Sequence, residues 1–95
     1  MRKYETLFVL RPNLEEEKRK ELIGKFTSII ETDGEIVKVD EWGNKKLAYE
    51  IEKLREGYYV LVDFKAAPEL PKELERNFKI ADEVIRYVVV NREEK

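Results

Sequence analysis

The chain contains no cysteine and no histidine. Without cysteine there is no disulfide, no thiolate nucleophile and no sulfur ligand for a metal. Without histidine the commonest general base and metal-binding imidazole is missing as well. Glutamine is absent, and serine occurs once, at Ser28. That serine falls in a stretch that reads as helix, with no histidine to activate it, so it is no candidate nucleophile. Long apolar runs are also lacking. The apolar runs present, such as Val88-Val89-Val90, fall far short of the roughly 20 residues a membrane-spanning helix needs. Met1-Arg2-Lys3-Tyr4-Glu5 is followed by no apolar stretch of signal-peptide length. The expectation is a cytoplasmic protein that is not an enzyme, with no cofactor, metal, membrane or small-molecule substrate.

What is present is charge and a moderate apolar share, each 42% of 95 residues. That length is one domain's worth, so residues 1–95 are read as a single domain. The apolar share is enough for a packed core. The two signs of charge nearly cancel at a net of −2, and the pI near 5.4 argues against indiscriminate binding to nucleic acid. Heavy Lys/Glu usage with few thermolabile residues is the pattern of proteins from hot environments. A melting temperature above about 60 °C is therefore expected, beyond ordinary mesophile domains.

Periodicity orders the elements. Tyr4 to Leu10 is rich in β-formers and closes at Arg11-Pro12-Asn13, a strand followed by a turn. Asn13, with Glu16 three residues on, predicts a capped helix start. Glu15, Glu16 and Glu17 suit the positive end of the helix dipole and read as its solvated start. Leu22, Ile23, Phe26, Ile29 and Ile30 then form one apolar stripe. Gly34 is expected to end that helix in a left-handed conformation. Ile36 to Val39 begins a second strand, interrupted at Trp42-Gly43-Asn44 and resumed at Leu47 to Ile51. Lys53 to Gly57 reads as the connection of a hairpin, and Tyr58 to Phe64 as the third strand. Pro68 and Pro71 flank a second helix start, whose buried stripe is Leu70, Leu74 and Phe78. Val84 to Val90 is the fourth strand, and residues 91–95 are a polar tail expected to fray.

The order β-α-β-β-α-β predicts an α+β, ferredoxin-like split βαβ domain, a four-stranded antiparallel sheet with both helices on one face. Strand alternation then sorts the side chains. Thr6, Phe8, Leu10, Val60, Val62, Phe64, Ile85, Tyr87 and Val89 should face the helices. The open face should carry Lys3, Glu5, Leu7, Val9, Tyr59, Leu61, Asp63, Lys65, Arg86, Val88 and Val90. Its apolar members would leave a contiguous greasy surface, which usually marks a partner.

Several chemistries known on this architecture fit poorly. An acylphosphatase-type phosphate loop after the first strand needs glycines, and Arg11-Pro12-Asn13-Leu14 has none. Metal chaperones of this shape need paired cysteines. RNA-recognition domains place a basic-Gly-aromatic signature on the third strand, which Arg55-Glu56-Gly57-Tyr58-Tyr59-Val60 echoes faintly. Tyr58 and Tyr59 point to opposite faces, however. Tyr58 is assigned to the core, and Tyr59 stays between surface packing and base stacking. Basic residues cluster only in small groups: Arg2-Lys3, Lys45-Lys46, and Arg86 with Arg92. Lys18, Arg19 and Lys20 read as the solvated side of the first helix.

The chain resembles the bacterial small-subunit ribosomal protein S6 family. Met-Arg-Lys-Tyr-Glu running to Arg11-Pro12-Asn13-Leu14 is similar to that family's first strand and turn. Trp42-Gly43-Asn44-Lys45-Lys46-Leu47-Ala48-Tyr49-Glu50-Ile51 resembles its Gly-x-basic-basic-Leu-Ala-Tyr-x-Ile motif. Gly57-Tyr58-Tyr59 and Val84 to Val90 continue the likeness over nearly the whole length. The resemblance implies a structural role in the small (30S) subunit. It implies binding to the central domain of 16S ribosomal RNA as a heterodimer with ribosomal protein S18, a small basic protein. It maps RNA contacts to Arg2 with its neighbour Lys3, to Lys45 and Lys46, and to Arg86. Ile85 departs from members that carry a second arginine there. Leu7, Val9, Tyr59, Leu61, Val88 and Val90 would dock the partner protein.

Overall fold

A computed structural model describes residues 1–51 and 53–92. It contains β1 (Arg2–Leu10), α1 (Glu16–Glu31), β2 (Gly34–Ile51), β3 (Leu54–Ala66), α2 (Leu70–Ile80) and β4 (Val84–Asn91). The strands form one sheet in the order β2-β3-β1-β4, every neighbouring pair antiparallel. This is the expected split βαβ arrangement. Thr6, Phe8, Leu10, Val60, Val62 and Phe64 are all buried, as alternation requires. Leu22, Ile23, Phe26 and Ile30 of α1 and Leu70, Leu74 and Phe78 of α2 complete the core.

Three phenylalanines fix both helices to the same side of the sheet. Phe8 of β1 lies 5.3 Å from Phe26 of α1 and 5.0 Å from Phe78 of α2, centroid to centroid, and the two helical rings lie 4.7 Å apart. Such pairs add about 0.5–1.5 kcal/mol each beyond the area they bury. Thr6 brings a hydroxyl into this layer, and its Oγ1 donates to the Val88 carbonyl at 2.8 Å; among the described residues no buried side-chain polar atom lacks a partner.

Local corrections follow from packing. α1 begins at Glu16 with Glu15 as its N-cap and no side-chain capping bond, so Asn13 belongs to the preceding turn. Gly34 opens β2 instead of closing α1 in the left-handed region; only Gly43, at φ 87°, is a positive-φ glycine. Gly34 is required by approach: a Cβ there would overlap the Lys65 carbonyl oxygen and lie 2.9 Å from the Ala66 Cα. Lys53 to Gly57 is not the connection: Ile51 already pairs with Leu54, so β2 and β3 form a longer ribbon than the apolar pattern suggests. Asn91 and Arg92 do not fray: the Arg92 amide donates to the Lys3 carbonyl at 2.8 Å and its guanidinium meets Glu5 at 3.2 Å. Residues 93–95, the rest of the expected tail, lie outside the described residues.

Candidate nucleic-acid and partner interface

Strand register writes the open face as rows. Asp40, Leu61, Leu7 and Val88 lie side by side across β2, β3, β1 and β4. On one side of that apolar row run Lys38, Asp63, Glu5 and Val90; on the other run Gly43, Tyr59, Val9 and Arg86. Leu7 and Leu61 are half-buried and Val88 is 48% exposed, and both helices pack on the other face of the sheet. The apolar residues read from sequence as a docking surface are thus contiguous.

Two residues depart from expectation. Val9 is only 2% exposed, because one of its methyl groups fills the space that a side chain at position 57 would take. Gly57 is glycine for that reason, and Val9 is a structural residue more than an offered one. Ile85 does not join the helix-facing layer. Register shifts between Val9 and Leu10, so that Val9 faces Arg86 while Leu10 faces Val84. Ile85 is the extra residue of the bulge, and Val84 takes the place at the core. Ile85 instead reaches the Val9–Gly57 contact, its Cδ1 3.4 Å from where a Gly57 Cβ would sit.

The basic residues separate into two groups. Arg2 pairs with Ala66 and Lys3 with Lys65 at one end of β1. Lys45 and Lys46 pair with Gly57 and Glu56 beyond its other end, where Arg86 also lies. Along β3 the two groups are roughly 30 Å apart at about 3.3 Å per residue. Arg2 also alternates with Lys3 and so turns to the helix-bearing side. The structure therefore brings Lys45, Lys46 and Arg86 to one end of the molecule, with Lys45, opposite Gly57, on the open face that carries Arg86, and leaves Arg2 and Lys3 at the other.

Aromatic residues mark the hairpin end. Trp42 stacks on Tyr59 at 6.2 Å with 12° between ring planes, and its Nε1 donates to Asp40 at 3.2 Å. Tyr59 therefore has Trp42 as its packing partner on the surface. Tyr49 accepts a 3.3 Å hydrogen bond from Arg86 at its hydroxyl, with the guanidinium 5.8 Å from the ring centre. Trp42 and Tyr49 lie in the segment that resembles the family motif but are not among the contact residues read from sequence. The usable signal is a pair of large aromatics in an otherwise charged strand.

Tyr58, on the opposite face, packs against the core beneath the Arg19 guanidinium, 4.2 Å from its ring centre. Its hydroxyl donates to Glu41 at 2.7 Å. That bond to a carboxylate holds the Tyr58 pKa above its ordinary value of 10.0; partial burial acts in the same direction and Arg19 opposes both. Arg11, the residue an acylphosphatase-like reading would need, serves the backbone instead. Its Nε donates to the Asp82 carbonyl at 3.0 Å and its amide to Glu83 at 2.9 Å.

Comparison with known proteins agrees with this geometry. The family model described as "Ribosomal protein S6" matches residues 3–91. The small ribosomal subunit protein bS6 of Alkaliphilus oremlandii is 60% identical over 93 residues, covering 98% of this chain and 99% of that protein. The corresponding protein of Moorella thermoacetica is 52% identical over 95 residues, covering 99% and 97%. The crystal structure of 30S ribosomal protein S6 from Thermotoga maritima superposes with a TM-score of 0.91 at 38% identity, covering 96% of this chain and 87% of that one.

Proposed function

The chain belongs to the ribosomal protein S6 family, whose members are structural, non-catalytic proteins of the small ribosomal subunit in the cytoplasm, and from that premise we propose that it binds the central domain of 16S ribosomal RNA together with ribosomal protein S18. The observation that carries this reading is the uncovered apolar row Leu61–Leu7–Val88, bordered by Arg86, on a chain whose net charge is −2. An acidic protein gains little from long-range attraction to RNA. A basic partner docked on the apolar row would supply that charge, and the few cations near it would fix the pair's position on the phosphates. RNA sampling several shapes would be drawn to the one that the protein pair binds best.

Purification of the tagged chain from lysate, with and without nuclease, tests the assembly. Recovery of ribosomal RNA and a small basic protein is expected, the RNA lost on nuclease treatment; recovery of neither overturns the reading. Within it, Arg86→Ala should leave the fold intact and weaken RNA binding by the heterodimer roughly tenfold at low salt, the worth of one charge-assisted contact. An unchanged affinity removes Arg86 from the RNA site.

A further inference from the structure

The hairpin beyond the end of β1 carries a feature that charge alone does not explain. Tyr49 sits on the part of β2 that has no support from β1, whose pairing with β3 stops at Leu10 and Tyr58. It is 63% exposed and takes no part in the core. Trp42, the other exposed aromatic on this strand, is already stacked on Tyr59. Among the described residues, Arg86 hydrogen-bonds the Tyr49 hydroxyl and lies toward the ring at 5.8 Å. The ring is thus oriented by a cation yet largely open to solvent. It also lines a depression of about 450 Å³ with Lys46, Leu47, Glu50, Arg55 and Glu56. Arg55 is tied to Glu50 at 3.1 Å, and Lys46 stands across the ribbon from Glu56.

We propose that Tyr49 is a stacking platform for one unpaired RNA base, with Arg86 and Lys46 holding the phosphates on either side of that nucleotide. An exposed π-face beside two cations is what recognition of a splayed-out nucleotide requires. Every base has such a face, so the platform gives affinity and position more than sequence choice. A docked protein segment would instead favour the apolar row, which Tyr49 does not join. This inference rests on the RNA-binding reading above and adds to it an uncharged contact.

The distinguishing property is salt dependence. A phosphate contact weakens as salt rises, whereas a stack releases no counterions. The experiment measures affinity of the chain–S18 pair for the central-domain RNA fragment across a salt series, for the unaltered chain, Tyr49→Leu, Tyr49→Trp and Arg86→Ala. Tyr49→Leu should bind roughly 5- to 100-fold more weakly at every salt concentration, the range of one base–aromatic stack, with the slope of log affinity against log salt unchanged. Arg86→Ala should lower that slope by about one. Tyr49→Trp keeps a π-face and should bind at least as tightly as the unaltered chain. If the unaltered pair binds and Tyr49→Leu binds equally well, the platform is refuted while the ribosomal reading stands. A Tyr49→Leu loss that also reduces the slope would mean that Tyr49 acts only by positioning Arg86. A loss of S18 pairing would make it a protein contact, and a folded Tyr49→Trp chain that binds poorly would refute stacking; each overturns the proposal. No binding by the unaltered pair overturns both readings.

Discussion

Leu7 and Phe8 are neighbours in the chain and sit on opposite faces of the same sheet. Phe8, 1% exposed, touches aromatic rings from both helices; Leu7 has Leu61 and Val88 beside it and nothing above. The covered face holds large side chains that interlock, so its residues are interdependent. The open face holds an apolar row flanked by charged neighbours, so its residues are largely independent of one another. One face carries the stability of the domain, and the other is available for assembly. The two demands do not compete, because alternation assigns them to alternate positions of the same strands.

The sharpest test of that division is truncation on the covered face. Phe78→Ala removes the ring that contacts Phe8, Phe26 and Tyr87 and should cost about 3–5 kcal/mol. That is a large share of the roughly 5–15 kcal/mol by which such a domain is stable, and urea unfolding would show it as a lowered midpoint. A cost under about 1 kcal/mol would mean the faces do not differ. Leu61→Lys on the open face should do the reverse: a stability change within about 1 kcal/mol, as for exposed sites, but a loss of at least about 2 kcal/mol in S18 binding by calorimetry. Equal losses in both measurements would show that the open face is also holding the fold together.

The smallest effect concerns Tyr58, whose raised pKa belongs to the helix-bearing side. A group protonated more firmly when folded stabilises the fold fully below its unfolded value near 10 and loses that contribution as pH rises through the folded value. Thermal melts of the unaltered chain should therefore fall more steeply above pH 10 than those of Tyr58→Phe. The difference should be slight, since the Glu41 bond lies near solvent. Parallel profiles would show that the bond does not couple to folding.

Most of the covered face was legible because burial enforces periodicity. Phe26 and Ile30, Leu74 and Phe78, and Thr6, Phe8 and Leu10 all lie where a 3.6- or two-residue repeat places them. Several of the misplacements depend on a neighbour far away in the chain. Ile85 left the core layer because of one extra residue between Val9 and Leu10 pairings, and a bulge leaves no mark in a run of β-branched residues. Gly34 follows α1 as a helix stop would, but its small size answers the backbone of Lys65 and Ala66. The hairpin was read too short because β2 beyond the helices is exposed on both sides, and a strand with two wet faces has no alternation to read. Arg2 and Lys3 with Lys45, Lys46 and Arg86 formed one list in sequence and two groups in space, since residue type says nothing about which end of a strand meets which.

Thr6 and the carbonyl it binds are 82 residues apart. A chain emerging at about 5–20 residues per second therefore presents β1 some 4–16 s before β4 exists to cover its edge. β3 closes the other edge much earlier. Once β3 has joined and until β4 arrives, the nascent sheet has three strands and a vacant margin with unmet hydrogen-bonding groups, the kind of template that invites another chain. Lys3 and Glu5 at the waiting margin put charge where a stray strand would have to land. The order in which the strands are synthesised thus makes the beginning of the chain the place where misassembly must be resisted longest.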